Sequence, residues 1–367
     1  MRTTLKRGAH WAAEHERDGN GAGTNGSGNG APPARPPLTS MVRYGPPPKR
    51  HPFLRVAKAF GWVVIVALML VVGVTGGAAL WGEDLRQATA PKTPAEKKAQ
   101  EKLDAAPAAP GAPVNVIVIG YDKRHGETAH DSRSDTIMVV RLDPRGKTIS
   151  MLSFPRDLRA EIAGCKRSAP TVGKINEAFT NCGPAGTIET VKKLTGIPIN
   201  YYVLTSFRGF RNIVDDIGGV HVKVPYAIHA HGGQSFKKGR QMMNGRKALA
   251  FARNRHDTPN GVFSRTVNQE RLLQALQVEF RRDYAKHPGV LVRWLATAAH
   301  VRTDLPAADL MNLALTAGQI PPDNVNRKLV PVRTGRAGHA HVVFLRKRVD
   351  RAVFRDMKDD GLLNHST

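Results

Sequence analysis

Only two cysteines occur in the 367 residues, which excludes a disulfide-dense scaffold and a four-cysteine zinc site. Acidic residues are also scarce, 30 Asp and Glu against 55 Lys and Arg, for a formal charge of +25. That balance excludes an acidic solvating protein and favours a polyanionic partner. Nucleic acid, anionic lipid and phosphorylated glycan all meet the description. Internal repeats are lacking, and there is one long uncharged apolar run. The hydrophobic fraction of 41% is ample for a core, but it is spread too unevenly for the whole length to be globular.

The apolar run is Ala59 to Trp81, 23 residues without an ionisable side chain. At about 1.5 Å per residue it spans roughly 30 Å, the thickness of a bilayer core. A buried helix rarely stays apolar on every face for so long, and a cleaved signal peptide has a shorter apolar region nearer the N-terminus. The reading is an uncleaved single-pass anchor. Lys49, Arg50, Arg55 and Lys58 precede it and Glu83 and Asp84 follow, which puts the N-terminus in the cytoplasm and the rest outside. Residues 1–58 form a basic tail, with Asp18 to Pro37 too rich in Gly, Asn, Ser and Pro to bury a core. Its basic residues are expected against anionic lipid of the membrane. Because that tail holds ten Lys/Arg against three Asp/Glu, most of the excess positive charge belongs to the outer part. Cys165 and Cys182 lie there with 16 residues between them. A disulfide closing that loop is worth about 3 kcal/mol in the chain-entropy account, and two buried free thiols fit the sequence as well.

Residues 82–113 are rich in Ala, Pro, Lys and Glu and read as a stalk, helical around Pro94 to Ala105. Strands are expected at Val114–Ile119, Thr136–Leu142, Thr148–Phe154, Tyr201–Leu204, Val220–Val224 and Lys328–Val332. Helices are expected over 187–194, Phe207–Asp216 ending at Gly218-Gly219, 244–252, 265–284, 290–299, 307–317 and 348–357. The alternation predicts an α/β fold, a three-layer α-β-α sandwich with a central mixed sheet, over residues 114–358. Residues 359–367 read as a tail.

If the first three strands form a meander, Asp122 and Arg124 after the first, Arg133 and Asp135 before the second, and Arg156 and Asp157 after the third gather at one sheet end. Carboxylates mixed with guanidiniums suit a salt-bridge network, or Mg²⁺ (or Mn²⁺) bridging a diphosphate whose other oxygens are held by arginine. A second group comprises Arg253, Arg255, Arg265 and Gln269. The last two are four apart and share a helical face. Two arginine clusters at polar turns, without matching acids, point to a phosphate-rich ligand. The pairs His229/His231 and His339/His341 lack partners at metal-ligand spacing and read as surface loops.

At these residues the chain resembles the LytR-CpsA-Psr family of bacterial cell-wall phosphotransferases, from about Val114 to Met357. The carrying motifs are Gly120-Tyr121-Asp122-Lys123-Arg124, Arg133-Ser134-Asp135-Thr136, Ser153-Phe154-Pro155-Arg156-Asp157, Lys174-Ile175-Asn176, Val214 to Val220 (VDDIGGV), and Arg253-x-Arg255 with Arg265 and Gln269. The resemblance implies transfer of an anionic glycopolymer from a polyprenyl diphosphate carrier to a peptidoglycan acceptor, with pyrophosphatase activity on the carrier as a second capacity. It implies catalytic roles for Asp122, Arg133, Asp135 and Arg156, with Asp122 and Asp135 serving the metal. Arg124, Arg133, Arg156, Lys174, Arg253, Arg255, Arg265 and Gln269 would hold the diphosphate, and the lipid tail would occupy an apolar tunnel between sheet and helices. Two positions depart from the family pattern: Val262 replaces an acidic residue and Asn268 a basic one. A non-catalytic, membrane-tethered binder of wall polymer or polyprenyl phosphate is the rival reading. A nucleic-acid partner is not expected, since it needs the basic domain to be cytoplasmic. A tag added at the C-terminus is expected to react with an impermeant reagent on intact cells, and protection of the tag would place the domain inside.

Overall fold

The computed structural model of the protein describes residues 82–109, 111–122, 132–163, 172–230, 233–254, 263–346 and 349–363. The expected basic tail and membrane anchor, together with Arg124, Cys165, His231, Arg255 and Val262, lie outside the described residues. No helix among those described is long and apolar enough to cross a membrane.

In chain order the elements begin with α1 (residues 82–89), α2 (Pro94–Gln100), β1 (Val114–Asp122), β2 (Arg133–Asp143), β3 (Thr148–Phe154), β4 (Arg159–Glu161), β5 (Val172–Lys174), α3 (Glu177–Thr195) and β6 (Tyr201–Ser206). There follow α4 (Phe207–Asp216), β7 (Val220–Val224), β8 (Ile228–Ala230), β9 (Gln234–Phe236), β10 (Gly239–Met243), α5 (Gly245–Arg253) and α6 (Ser264–Lys286). The chain continues through α7 (Val290–Ala296), β11 (Val301–Thr303), α8 (Ala307–Gln319), β12 (Val325–Leu329), β13 (Val332–Ala337), β14 (Ala340–Leu345) and α9 (Val349–Lys358).

Six strands form the central sheet in the order β11-β6-β1-β2-β3-β12. β1, β2 and β3 are the expected antiparallel meander, while β6 and β12 join it in parallel, so the sheet is mixed. Alternation along these strands divides the apolar side chains between two faces. Ile117, Ile119, Ile137, Val139, Leu152 and Phe154 pack on one side with Ile188 and Val191 of α3 and Val353 and Phe354 of α9. Val118, Met138, Val140, Ile149 and Met151 pack on the other with Leu273 of α6 and Leu313 of α8. Helices therefore cover both faces, as expected. A further core joins the β7–β10 and β8–β9 hairpins to α5 and α6 around Val222, Phe236, Phe251 and Leu272.

The segment read as a stalk is docked on the domain. Leu85 and Ala99 are buried, Arg302 donates to the Ala88 carbonyl, and Asp104 takes Lys192 Nζ at 2.8 Å and the Ile199 N–H at 2.8 Å. The Pro-rich composition masked this, because long-range partners rather than local propensity hold it. The tail is likewise tied down through residue 363. Buried Arg141 donates to the carbonyls of Lys358 at 3.2 Å and Asp359 at 2.7 Å, and Lys328 Nζ reaches the Leu363 carbonyl at 3.1 Å. The strand expected at Lys328–Val332 instead splits into β12 and β13, which belong to different sheets. Cys182 is disulfide-bonded, which resolves the open choice at that cysteine.

Gly218 and Gly219 end α4 at φ +89° and +101°, a region side chains avoid. Nearby, Asp215 accepts the Gly245 N–H at 2.7 Å, tying the end of α4 to the start of α5. A Cβ on Gly245 would stand 2.2 Å from the Arg211 carbonyl, so the two helices approach as closely as backbones allow. At the other end of this pair Phe207, which starts α4, meets Arg253, which ends α5.

At the sheet edge Asp304 accepts the Tyr202 N–H at 2.8 Å, and burial pushes its carboxyl up to about 6. An unfolded Asp titrates near 4, so the native state keeps the proton over that interval and stability falls as pH rises through it. Asp304→Asn keeps the acceptor oxygen and removes the titration. The variant is expected to gain stability relative to the parent between pH 4 and 7, read as a widening difference in urea midpoints.

Candidate functional site

The site begins with a register shift. Gly120 pairs with Thr136 and Tyr121 with Ser134, which leaves Asp135 as the extra residue of a β-bulge. Bulges bend a strand and re-aim a side chain. Here they release Asp135 from strict alternation, at the end of the sheet where β1 finishes, β2 starts and β3 finishes. Gly120 is required beside it, since a Cβ there would lie 2.9 Å from Thr136 Oγ1.

The Asp135 carboxylate, 9% exposed, is the hub. Its Oδ1 accepts Arg156 Nη1 at 2.8 Å and also Arg265 Nη1 from α6. Gln269, one helical turn after Arg265, donates to the Asp135 carbonyl at 3.4 Å. Arg156 continues to Asp157 with Nε at 3.5 Å, and Asp157 holds Lys174 Nζ at 2.9 Å. Three cations thus share two carboxylates. A carboxylate this buried is tolerated because two guanidiniums meet it, and the cluster keeps an excess of positive charge for an outside anion.

Asp122 and Arg133 face each other in register on β1 and β2 at the same sheet end, Arg133 being exposed. The convergence expected from the meander is therefore found for Asp122, Arg133, Asp135, Arg156 and Asp157, with Lys174 added through β5. From the second group Arg265 and Gln269 reach the hub directly. Arg253 sits at the end of α5, where its guanidinium lies 4.7 Å from the Phe207 ring centroid, a cation-π contact. Sequence reasoning missed Phe207. Its signal was an aromatic residue at the first position of a helix that follows a sheet strand.

Behind the cluster, between β1, β2 and β6 on one side and α4, α5 and α6 on the other, lies a cavity of about 310 Å³. Its wall is almost wholly apolar: Val118, Met138, Phe210, Leu272, Leu273 and Leu276 are typical. Its polar members are Arg253, Gln269 and the hydroxyl residues Thr136, Thr205 and Ser206. The cavity is thus a greasy space beginning where the charged cluster ends.

The donor set also fits a magnesium ion. Mg²⁺ commonly takes one or two protein carboxylates and completes its shell with water and substrate phosphate oxygens. Asp122 and Asp135 are such a pair, on adjacent strands beside the bulge. No group of three or more His, Cys, Asp or Glu able to hold a metal occurs among the described residues, so a metal here draws on ligand oxygens. The histidine pairs do other things: His229 contacts Ser235 Oγ at 3.3 Å, and His341 faces Arg336.

The fold and site together define an α/β sandwich that carries arginines and aspartates at the mouth of an apolar cavity. The chain matches the LytR_cpsA_psr family over residues 82–357 and belongs to that family. It is 37% identical over 170 residues to the polyisoprenyl-teichoic acid–peptidoglycan teichoic acid transferase TagV of Bacillus subtilis (strain 168), covering 45% of this chain and 43% of that protein. It is 38% identical over 164 residues to the corresponding transferase TagU of Bacillus mycoides (strain KBAB4), covering 45% of this chain and 51% of that one. The chain thus spans about half the length of the curated relatives it matches. The crystal structure of B. subtilis TagV superposes with a TM-score of 0.58 at 26% identity, over 69% of this chain and 98% of that one.

Of the two departures from the family pattern, Asn268 is fully buried and does structural duty. Its Nδ2 donates to the Phe251 carbonyl at 3.1 Å and its Oδ1 accepts Arg271 Nη1 at 3.1 Å, joining α5 to α6. Asn268→Ala removes both of these hydrogen bonds and leaves the Phe251 carbonyl with the Asn254 N–H at 3.3 Å. The expected loss is about 1 kcal/mol of stability per bond removed, measurable by urea denaturation.

Proposed function

We propose that the protein transfers an anionic glycopolymer from a polyprenyl diphosphate carrier to peptidoglycan. The observation that carries the reading is the junction of an arginine-rich, carboxylate-centred cluster with an apolar cavity at Gln269 and Arg253. A polyprenyl diphosphate has that same junction: a charged head on a long hydrocarbon. The similarity to the TagV and TagU transferases supports the reaction class.

On this reading Arg133, Arg156, Arg253 and Arg265 hold the diphosphate oxygens, and Gln269 orients Arg265's end of the cluster through the Asp135 carbonyl. Lys174 keeps Asp157 occupied, which leaves Arg156 directed to Asp135 and the substrate. Arg124 and Arg255 would join the clamp. Asp122 and Asp135 would hold Mg²⁺, which when bound draws charge from the phosphate oxygens as the transition state forms. Asp135 Oδ1 is occupied by two guanidiniums, and on this reading Asp122 accepts the proton of the attacking sugar hydroxyl. A new P–O bond forms to that hydroxyl while the bridging P–O bond breaks, leaving polyprenyl monophosphate. Guanidiniums placed where negative charge accumulates supply the main stabilisation. Water replacing the sugar hydroxyl gives the pyrophosphatase reaction.

The apolar run Ala59 to Trp81 would anchor the chain in the membrane, where such a carrier resides.

Arg156→Ala and Asp135→Ala are each expected to lower Mg²⁺-dependent release of phosphate from a polyprenyl diphosphate analogue by about 10² to 10³-fold. Circular dichroism serves to confirm the fold in both. Unchanged release by either variant would remove that residue from the site, and release by neither variant nor parent would favour a binding protein.

A further inference from the structure

The opposite flank of α6 from the apolar cavity borders a second cavity, of about 500 Å³, walled by basic side chains. Lys223 and Arg240 come from the β7–β10 hairpin, Arg271 from α6 and Arg327 from β12, with His221 at the rim. Lys223 and Arg240 stand directly opposite each other in the antiparallel register, a like-charge pairing that costs stability in an isolated sheet. Neither they nor Arg327 has a hydrogen bond or ion pair to an acidic side chain among the described residues. Arg271 is held only by the neutral Asn268 oxygen.

The nearby carboxylates do not neutralise them. Glu270, 5% exposed, is the one carboxylate that acts on Arg271 and Arg327; burial raises its pKa, while Ser153 and the two guanidiniums pull it down. Glu279 is 4% exposed at its side chain and is already taken by Arg282 and by His221 at 3.2 Å. Arg327 is accessible yet ringed by protein atoms, and that crowding lowers its pKa below the usual arginine value, with Arg271 adding to the effect and Glu270 opposing it. Four cations thus crowd a concave surface with a single buried carboxylate, Glu270, acting on two of them, which leaves an excess of positive charge.

We propose that this cavity binds an anionic segment of the glycopolymer itself, phosphodiester by preference, at a distance from the carrier diphosphate. The inference rests on the reading of the active site above and extends it to the polymer end of the substrate. Placement supports it. Arg271 follows Gln269 by two residues on α6, and the cavity then runs past Gln274 to Val278, roughly 13 Å along the helix from Gln269. One helix therefore carries the diphosphate contacts at its start, the apolar wall on one flank and the basic wall on the other. A polymer leaving the diphosphate cluster can turn round α6 and lay its charges along the second cavity. Arginine forks suit phosphodiester oxygens, and a cavity of about 500 Å³ that opens to solvent admits a segment of chain.

The test uses the full chain in detergent with Arg240→Glu and Arg327→Glu, singly and together. Neither residue contacts the diphosphate cluster. The probe is a short, soluble, fluorescent oligo(glycerol phosphate), compared with an uncharged glycan of equal length and single-stranded DNA of equal charge. The expected result is binding of the phosphate oligomer by the parent, weakened about tenfold in the double variant with a shallower dependence on salt. Phosphate release from a polyprenyl diphosphate carrying no polymer should be unchanged in the same variants. Equal oligomer affinity in parent and variants would overturn the proposal. So would DNA binding as tight as the oligomer's, which would mark a general polyanion surface. Failure of the active-site reading shows separately, as absence of phosphate release from the parent.

Discussion

A single carboxylate, Asp135, accepts guanidinium bonds from a loop after β3 and from the start of α6, and the architecture of the site follows from holding that carboxylate in place. Buried to 9%, it would be costly alone. With Arg156 and Arg265 it becomes a rivet between the sheet and the longest helix. Arg156, Asp157 and Lys174 then extend the rivet to the small β4–β5 hairpin, since Lys174 pairs with Arg159 in its register. The extra residue in β2 makes this geometry available, and Gly120 makes room for the bulge beside the cavity.

α6 is the second organising feature. Its leucines face the sheet and the apolar cavity, yet Glu270, Gln277 and Glu279 are buried on it as well. Two of them fasten neighbouring elements. Gln277 donates to the Ala317 and Ile320 carbonyls at 2.8 and 2.9 Å, seating the end of α8, and Glu279 gathers Arg282 and His221. A helix surrounded by protein on most sides cannot be simply amphipathic, and this one separates two cavities of opposite character. The contrast matters for function because a carrier-linked polymer is itself two materials joined at a diphosphate.

Much of this organisation was legible along the chain. The meander could be read from alternating apolar residues and from the turn Asp143 to Lys147, and its strand ends placed Asp122, Arg133, Asp135 and Arg156 together before any coordinates. α4, β3 and β7 fall at their expected bounds because caps and glycines mark them: Ser206 accepts the Gly209 N–H at 3.1 Å at one end of α4, and Gly218-Gly219 stand at the other. The VDDIGG run read as part of a functional signature, and its aspartate Asp215 proves to be a structural fastener for α5. The short hairpins β4–β5 and β8–β9 and the strand β10 left no clear trace, since three to five residues carry too little alternation to stand above loop composition. The docking of residues 82–109 was illegible for another reason, as its partners Lys192, Ile199 and Arg302 are about a hundred or more positions away.

The sequence by itself determined the inventory and its order: a long apolar run, a basic remainder, strand and helix boundaries, and the arginines and aspartates available for an anion. Those are local properties, encoded in side-chain chemistry, capping and period. Only the tertiary structure decided which aspartate became the hub, that Arg253 would rest on Phe207, and that a second basic cavity would form across α6. Such outcomes depend on strand register and on burial by distant segments, where a one-residue shift redirects a side chain and the local dielectric sets the strength of each charge.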